Sequence, residues 1–400
     1  MQLVERHIID PTDKRWVVID ETCFLSKNLW NYANYLWRQA FIKEGQFLSY
    51  NGLAKALKQQ VDYTALPRKV SQQVLMQLDK AWLSWSRAQK AYAMNSSVFR
   101  GRPKLPGYKH KTKGRNKLSY TLQALSKPKF RQGIIKPSGL DIEVNTQIPP
   151  EQINEVRIVP QANCYVVEVV YTVMRAELIG GEFVAGVDIG LNNLAAVASN
   201  KPGCHPFLIN GRPLKAINQY YNKRKAHLQG QLPSDQKTSR RIQRLTHKRN
   251  MKINDYLHKA SFYLINWCVE NDIGTLVVGK NDGWKQAIGI GKHNNQNFVS
   301  IPHARFIKML QYKGELAGVE VIVTEESYTS KCSFLDNEPV CKHEQYQGRR
   351  IQRGLFRSRD GTLINADING AANIIRKAVP NAVANGIEGV VVHPVLVLPA

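Results

Sequence analysis

Glu182-Phe-Val-Ala-Gly-Val-Asp-Ile-Gly-Leu-Asn-Asn-Leu-Ala-Ala-Val-Ala-Ser199 is the stretch of sequence that decides the fold. Two apolar runs flank a Gly-Leu-Asn-Asn turn, and short apolar runs bounded by glycine and asparagine predict the two strands of a hairpin. Asp188 lies inside the first run. Desolvating a lone carboxylate there is costly unless it is paired or holds a metal ion. Asp188 is therefore either a solvated residue at a strand end or a metal ligand.

A second acidic motif lies far downstream, at Asn365-Ala-Asp-Ile-Asn-Gly-Ala-Ala-Asn373. Asp367 stands at the beginning of a run with helical character. Two carboxylates, one on a first strand and one on a late helix, are the arrangement with which an RNase H-like nuclease core holds divalent metal. The pair favours the ligand interpretation of Asp188.

Three motifs in this order resemble the signatures of the TnpB family: Gly186-Val-Asp-Ile-Gly190, Tyr328-Thr-Ser-Lys331 and Asp367-Ile-Asn-Gly-Ala-Ala-Asn-Ile374. That family consists of transposon-encoded, RNA-guided DNA nucleases related to the type V CRISPR effectors. The resemblance covers the C-terminal half closely and the N-terminal half in layout only.

Composition bounds the class of protein. A chain of 400 residues, 43% hydrophobic, predicts two or three globular domains. Lysine and arginine outnumber acidic residues 56 to 31, a net charge of +25 that suits a polyanionic partner. No apolar run approaches the ~18–20 residues of a membrane span, and no signal peptide is recognisable, so we expect a cytoplasmic, nucleoid-associated protein of a prokaryote. The six cysteines form no C-x-x-C pair, so reduced, mostly buried thiols are expected.

The first half of the chain begins with a predicted strand at Arg15-Trp-Val-Val-Ile19. Helical spacing then predicts a small bundle over residues 21–96, with a helix start at Ser49 and a third helix opening at Pro67. Its many aromatic residues are expected to pack between helices rather than stack on bases.

A basic segment follows the bundle. Residues 100–131 hold eleven lysines or arginines and no acidic residue, interspersed with turn-forming and aromatic residues. An exposed cationic face can mean only solvation, but this composition favours a surface that follows phosphates. Strand-like runs at 139–144, 156–159 and 165–171 then predict a small β-barrel.

The second half is predicted to be an α/β sheet covered by helices. Residues 212–259 are helical and carry thirteen lysines or arginines, with a break at Gln231-Leu-Pro-Ser234. They are either a solvated face or a channel wall for a nucleic-acid duplex. Strands are predicted at 273–279 and 319–324, a loop at 281–297, and a helix from Ile301 with Phe306, Met309, Leu310 and Leu316 facing inward. The C-terminal tail is expected to form a strand or to pack.

The resemblance implies an α/β fold class with a β-barrel and a helical bundle. Residues 1–20 would be the first part of a wedge-type β-barrel, 21–96 an inserted helical recognition domain, and 97–180 the rest of the barrel with its basic loop. Residues 181–400 would be an RNase H-like (RuvC) nuclease domain, in which 327–366 form an insertion that binds the target nucleic acid.

Two departures from the family pattern stand out. Relatives carry a second catalytic glutamate where this chain has Gly279, so we predict that Glu325 or Glu326 has taken over and completes a magnesium or manganese site with Asp188 and Asp367. Relatives also follow the Tyr-Thr-Ser motif with two C-x-x-C pairs that bind zinc. Here only Cys332, Cys341, His343 and Asp336 could supply four ligands, in none of the usual structural sets, so zinc is predicted to be unnecessary.

The predicted function is RNA-guided cleavage of double-stranded DNA beside a short flanking motif. The predicted partners are a guide RNA from the transposon end, the target DNA and a transposase of the same element. No association with a membrane is expected. The alternatives are a guide-directed DNA-binding protein without cleavage, because Gly279 lacks the acid, and a transposase or its accessory protein. The predicted nucleic-acid contacts are Lys104, Lys109, Lys111, Lys113, Arg115, Lys117, Lys223, Arg224, Lys225, Arg240, Arg241, Arg244, Lys248, Arg249 and Lys331.

Overall fold

The computed structural model describes residues 1–281, 283, 291–384, 386–389 and 392–399. The chain divides into two compact units, Met1–Val173 and Met174–Ala400, here called unit 1 and unit 2. The finer division into functional domains stays a prediction.

Unit 1 contains a helical bundle, as predicted. Its helices are α1 (Trp16–Glu44), α2 (Tyr50–Leu57), α3 (Val61–Thr64), α4 (Arg68–Met94) and α5 (Lys127–Arg131). Ser49 caps α2 by accepting a hydrogen bond from the Gly52 amide, which confirms the predicted helix start. Trp37 and Trp82 are fully buried and stack with ring centroids 5.3 Å apart, so these aromatic residues do pack between helices.

The strands of unit 1 differ from the prediction at its beginning. They are β1 (Gln2–Ile9), β2 (Leu118–Thr121), β3 (Ile134–Ile135), β4 (Val144–Asn145), β5 (Ile153–Gln161) and β6 (Cys164–Thr172). The run Arg15–Ile19 opens α1 instead of forming a strand, because Ile19 and Cys23 lie at helical spacing on a buried face. The predicted strand at 139–144 is likewise wrong except at its last residue.

The sheet of unit 1 is open. Four antiparallel strands run in the order β1-β6-β5-β2, and β3 pairs with β4 in a separate ribbon. β1 and β2 are therefore edges, and these strand pairs do not close the barrel that the sequence predicted.

Unit 2 is built on a mixed six-stranded sheet. Its strands are β7 (Val184–Asp188), β8 (Asn193–Ser199), β9 (Phe207–Asn210), β10 (Thr275–Gly279), β11 (Glu320–Thr324) and β15 (Val395–Val397). They are ordered β11-β10-β7-β8-β9-β15. The hairpin β7–β8 is antiparallel, as predicted, whereas β10 pairs parallel with both β7 and β11. A small sheet is formed by β12 (Arg349–Gln352), β13 (Leu355–Arg357) and β14 (Leu363–Asn365).

The helices of unit 2 are α6 (Arg212–Gly230), α7 (Arg240–Glu270), α8 (Lys292–Ser300), α9 (His303–Ala317) and α10 (Ala366–Ala378). The break between α6 and α7 agrees with the prediction. Leu316 is exposed rather than inward-facing. The predicted loop at 281–297 is helical from Lys292 onward, and its residues 282 and 284–290 lie outside the described residues.

Helices cover both faces of this sheet. Ala185 and Val187 of β7 pack in one cluster with α7 and α9, while Val184 packs with α10. Successive strand residues face opposite sides, which directs Asp188 to the α10 side. Gly186 permits this packing, because a Cβ there would lie 2.3 Å from the carbonyl oxygen of Ala371.

The remaining predictions concern the tail, the cysteines and membrane spans. β15 pairs with β9, so the tail does form a strand. All six cysteines are free thiols, and all except Cys341 are buried. Within the described part of the chain, no helix combines the length and apolar character that a membrane span needs.

Candidate active site and nucleic-acid surfaces

A cavity of about 320 Å³ lies where the parallel strands of unit 2 end. It contains three of the four predicted acidic residues, Asp188, Glu326 and Asp367, drawn from a strand, a loop and a helix that are distant in sequence. The other lining residues are Gly190, Asn193, Asn281, Ser327, Tyr328, Thr329, Ser330 and Arg350.

Asp188 ends β7 and lies against α10. A Cβ at Gly370 would be 2.5 Å from the Asp188 Oδ2 atom, so the glycine of the late motif leaves the space that this carboxylate occupies. Burial raises the pKa of Asp188 well above its ordinary value, and the nearby carboxylates of Asp367 and Glu326 raise it further, against a smaller opposing effect of Arg350. Such a group binds either a proton or a cation.

Asp367 stands in the first turn of α10, whose N-cap is Asn365. The Asn365 side chain accepts hydrogen bonds from the amides of Asp367 and Ile368. A carboxylate at this end of a helix is stabilised by the helix dipole. Its Oδ2 atom accepts a hydrogen bond of 2.8 Å from the Asn193 side chain, and its Oδ1 atom one of 3.3 Å from Arg350.

Glu326 occupies the space beside Gly279. Gly279 pairs with Thr324 in the parallel register, which brings the chain after β11 next to it. A Cβ at Gly279 would lie 2.8 Å from Oε2 and 3.1 Å from the Cβ of Glu326. A side chain at residue 279 would therefore clash with the Glu326 side chain in its present position.

The carboxyl group of Glu326 is also chemically unusual. Burial, reinforced by the charge of Glu325, raises its pKa to about 7. Asn281 donates to its Oε1 atom at 3.3 Å, while its buried Oε2 atom has no hydrogen-bond partner among the described residues. An unpaired buried oxygen in a cavity lined by two other carboxylates is a position that a cation would stabilise.

Glu325 points elsewhere. Its carboxylate pairs with Lys377 Nζ at 2.5 Å and accepts a 2.6 Å hydrogen bond from the Ser327 hydroxyl. These two partners lower its pKa. Of the two glutamates, only Glu326 lines the cavity.

The chemistry of the donor set fits a divalent metal. Mg²⁺ prefers carboxylate oxygens and water, and the three cavity acids supply such oxygens. Within the described residues, however, no three His, Cys, Asp or Glu side chains converge as a metal-binding group. Asp367 is held by Arg350 and Asn193 instead, so its carboxylate would have to turn toward a bound ion.

Sequence reasoning missed Arg350, Asn193 and Asn281. Asn193 belongs to the opening hairpin turn, and Asn281 follows β10 in a run of turn residues, so proximity to a motif was an available signal for both. Arg350 lies on β12, and no motif or residue spacing around it indicated that it would line the cavity.

In unit 1, the segment 103–111 crosses the helical bundle as an extended basic strap. Helix side chains bind its backbone at five carbonyl groups. The bonds are Trp85 and Gln89 to Pro103 O, Asn34 to Pro106 O, Trp30 to Gly107 O, Asn31 to Lys109 O and Lys27 to Lys111 O, at 2.6–3.3 Å. Because its backbone is bound from below, the strap presents Lys104 and Lys111 outward, and Lys113 just beyond it is exposed as well.

A second cavity of about 410 Å³ lies at one side of this strap and includes the half-buried Lys109 and Lys117. The other lining residues are Trp30, Gln77, Lys80, Arg115, Asn116 and Pro160. The buried Nε2 atom of Gln77 has no hydrogen-bond partner among the described residues. A donor of this kind in a basic, partly aromatic cavity suits an oxygen of a nucleotide.

Two predicted contacts have structural roles instead. Arg115 forms a bidentate pair with Asp20 at 2.6 and 2.8 Å, and the Tyr165 hydroxyl donates to the same carboxylate. Arg249 donates to Asn218 Oδ1 and to the Ser300 carbonyl. Both guanidinium groups form hydrogen bonds within the protein. Their partners are distant in sequence, so a local count of charges does not reveal them.

The other predicted contacts on α6 and α7 are exposed, except the half-buried Lys225, whose Nζ lies 5.8 Å from the centre of the Tyr221 ring. The exposed set consists of Lys223, Arg224, Arg240, Arg241, Arg244 and Lys248. Lys331 is exposed near the acidic cavity, with its Nζ 5.8 Å from the centre of the Tyr346 ring.

Comparison with known proteins agrees with this architecture. Residues 167–285 match the OrfB_IS605 family model, described as a probable transposase, and residues 303–374 match the Cas12f1-like TNB domain. The chain shares the fold of a Cas12f1 protein solved with sgRNA and target DNA, with a TM-score of 0.54, 13% identity, and coverage of 90% of this chain and 82% of that one.

Two curated relatives are similar in sequence. One is the CRISPR-associated endodeoxyribonuclease Cas12f2 of a Micrarchaeota archaeon, 27% identical over 217 residues, which are 49% of this chain and 37% of that protein. The other is the TnpB-like protein ORF457 of Acidianus two-tailed virus, 24% identical over 210 residues, 50% of this chain and 42% of that protein. The match thus spans about two fifths of these relatives. The chain is thus similar in sequence to a TnpB-like protein over half of its length, which agrees with the resemblance of its motifs.

Proposed function

We propose that this chain is a guide-RNA-directed endonuclease of a mobile element that hydrolyses double-stranded DNA with Mg²⁺ or Mn²⁺. The observation that carries the proposal is the cavity that Glu326, which fills the space beside Gly279, lines together with Asp188 and Asp367. The strand order of unit 2, three antiparallel strands followed by two parallel ones, supports an RNase H-like, RuvC-type nuclease domain.

Asp188, Glu326 and Asp367 would hold the metal ions. When bound, divalent ions polarise a phosphodiester and activate water for in-line attack. The chain's own residues arrange this site: α10 presents Asp367 at its N-terminus, Gly370 leaves room for Asp188, and Asn281 orients Glu326 through its Oε1 atom. Arg350, which donates to Asp367 in this structure, would be in reach of a non-bridging oxygen of a bound phosphodiester.

The basic surfaces would bind the nucleic acids. In unit 1, the basic strap and its neighbouring cavity offer lysines, an aromatic ring and the unpaired Gln77 amide, a combination suited to a flanking DNA motif or to the guide RNA. In unit 2, the exposed cations of α6 and α7 suit the backbone of a duplex.

The test uses the chain purified with its co-purifying RNA, which is sequenced to identify the guide. A plasmid library carrying the matching target beside randomised flanking sequence is incubated with the complex in Mg²⁺ and separately in Mn²⁺. We expect linear product from a subset of flanking sequences with the parent protein and none with Asp188→Ala. Absence of any co-purified RNA would overturn the guide-directed mechanism.

The second candidate is guide-directed DNA binding without cleavage. It is favoured by the engagement of Asp367 with Arg350 and Asn193 and by the lack of a converged metal-binding group among the described residues. RNA-dependent binding of the target plasmid with no cleavage in either metal would support this candidate over the nuclease.

A further inference from the structure

The segment 331–347 lies where relatives are expected to have a zinc ribbon, and its candidate ligands do not fit zinc. The buried Cys332 thiol faces the Cys341 carbonyl oxygen at 3.5 Å. His343 Nε2 lies 2.8 Å from the Pro339 carbonyl oxygen. A carbonyl can only accept, so in this contact Nε2 is the donor and does not face the position of a metal ligand.

The fourth candidate is also occupied. The Asp336 carboxylate accepts a 2.9 Å hydrogen bond from the Arg359 amide. Three of the four candidate ligands, Cys332, His343 and Asp336, thus have other contacts, while the exposed Cys341 thiol lies 3.4 Å from His343 Nε2. The four together match none of the usual structural zinc sites.

A buried carboxylate lies inside the same segment. Glu338 is only 1% exposed. Its Oε2 atom accepts a 2.7 Å hydrogen bond from the Ser333 amide, and its Oε1 atom accepts a 3.0 Å hydrogen bond from the Gln347 amide. One side chain thus joins two stretches of backbone that are fourteen positions apart, as a shared metal ion would.

Both stretches lead to the acidic cavity. On one side, Asn369 of α10 donates to the Cys332 carbonyl and accepts from the Phe334 amide, which fixes the chain around Ser333. On the other side, Gln347 precedes β12, the strand that carries Arg350 to Asp367.

We infer that the Glu338 carboxylate links the two ends of the segment 331–347, as a structural zinc ion would in a zinc ribbon. It closes the segment by accepting two backbone amides and thereby positions Arg350 at the cavity. The expected cost of removing the negative charge is large, because hydrogen bonds to a charged acceptor are strong and the group is buried. Glu338 is thus a positioning residue that acts through β12.

The experiment compares Glu338→Gln with the matched control Glu344→Gln, which removes the same charge from an exposed position in the same segment. Amide hydrogen exchange is followed in the full chain at residues 333 and 347. We expect exchange at both amides to accelerate by about tenfold to a hundredfold in Glu338→Gln and to stay unchanged in Glu344→Gln. Unchanged exchange in Glu338→Gln would overturn the inference.

A second measurement stands even if Glu338→Gln does not fold. Zinc content and the thermal midpoint of the parent are measured before and after treatment with a zinc chelator. We expect no stoichiometric zinc, no shift in midpoint, and a parent-like midpoint for the Cys341→Ser variant, which alters an exposed thiol. Stoichiometric zinc, with loss of stability on chelation or in Cys341→Ser, would show that metal closes the segment. These readouts need no cleavage, so they are independent of the proposed nuclease activity.

Discussion

The acidic cavity of unit 2 and the basic strap of unit 1 are assembled in opposite ways. The cavity collects three carboxylates from a strand, a loop and a helix that are distant in sequence, at positions 188, 326 and 367. Its chemistry therefore depends on the sheet and on the glycines that allow close packing. The strap is one continuous stretch whose charge is local, and the fold supplies only the side chains that bind its backbone. The geometry of the acidic cavity therefore depends on long-range packing, whereas the charge that the strap presents depends on composition and exposure.

The largest expected effect concerns the two neighbouring glutamates. Glu326→Ala should lower metal-dependent cleavage by about 10³-fold, equivalent to roughly 4 kcal/mol of transition-state stabilisation, because it removes a ligand from the cavity. Glu325→Ala, the matched control one residue away, should retain most of the activity. Cleavage rates of saturated complexes measure both, and guide-RNA affinity should not change. Equal losses in the two variants would contradict the separation that the structure makes between them.

The strap gives the next largest effect. The triple variant Lys104→Gln, Lys111→Gln, Lys113→Gln should weaken RNA binding by about 10- to 100-fold at moderate salt. The slope of log affinity against log salt concentration should become shallower by the equivalent of about two to three phosphate contacts. Binding isotherms at several salt concentrations measure the effect.

The control for the strap is the triple variant Lys43→Gln, Lys55→Gln, Lys58→Gln. These three lysines are also exposed, and replacing them removes the same amount of charge. It should bind RNA nearly as tightly as the parent. Arg115→Gln should instead lower the stability of unit 1 by about 1–3 kcal/mol, since it leaves Asp20 without its charged partner and with only the hydrogen bond from Tyr165. If both triple variants lose equal affinity, net charge rather than the strap determines binding.

The third effect is a pH dependence of stability in metal-free protein. The folded-state pKa of Glu326 is about 7 against an ordinary value of 4.5, so the folded state holds a proton that the unfolded state releases. The resulting stabilisation is fully present below the lower value and is lost as pH rises through the higher one. The free energy of unfolding of the parent should therefore fall between about pH 5 and pH 8. In Glu326→Gln the decrease over the same range should be smaller by about 1–2 kcal/mol. Denaturant titrations with a metal chelator present measure this, and identical pH profiles would refute the assignment.

The smallest effect concerns the ion pair of Glu325 with Lys377. Their carboxylate and ammonium groups are 2.5 Å apart, but the Glu325 side chain is 56% exposed. Exposed pairs contribute little, so Glu325→Gln should change the free energy of unfolding by less than about 1 kcal/mol. A larger change in denaturant titrations would mean that this pair supports the cavity.

Much of the fold was predictable from sequence because it follows local periodicity. The hairpin around Asp188, the buried strands β10 and β11, and the break between α6 and α7 each follow from apolar runs and turn residues nearby. The prediction failed at Arg15–Ile19, where helical burial of Ile19 and Cys23 prevailed over a β-branched run. It also failed at barrel closure, because closure depends on pairing between the edge strands β1 and β2.

The amino-acid sequence by itself determined the acidic motifs, the resemblance to the TnpB family and the cationic segments, since each is a property of a short stretch. Only the tertiary structure placed Glu326 rather than Glu325 in the acidic cavity, paired the guanidinium groups of Arg115 and Arg249 within the protein, and brought Arg350 to Asp367 and Glu338 to two backbone amides. The physical reason is the same in each case. Whether a charged side chain faces a cavity, a partner or solvent depends on which distant backbone packs beside it, and that information lies in the register of β10 with β11 and in the packing of α10 rather than in neighbouring residues.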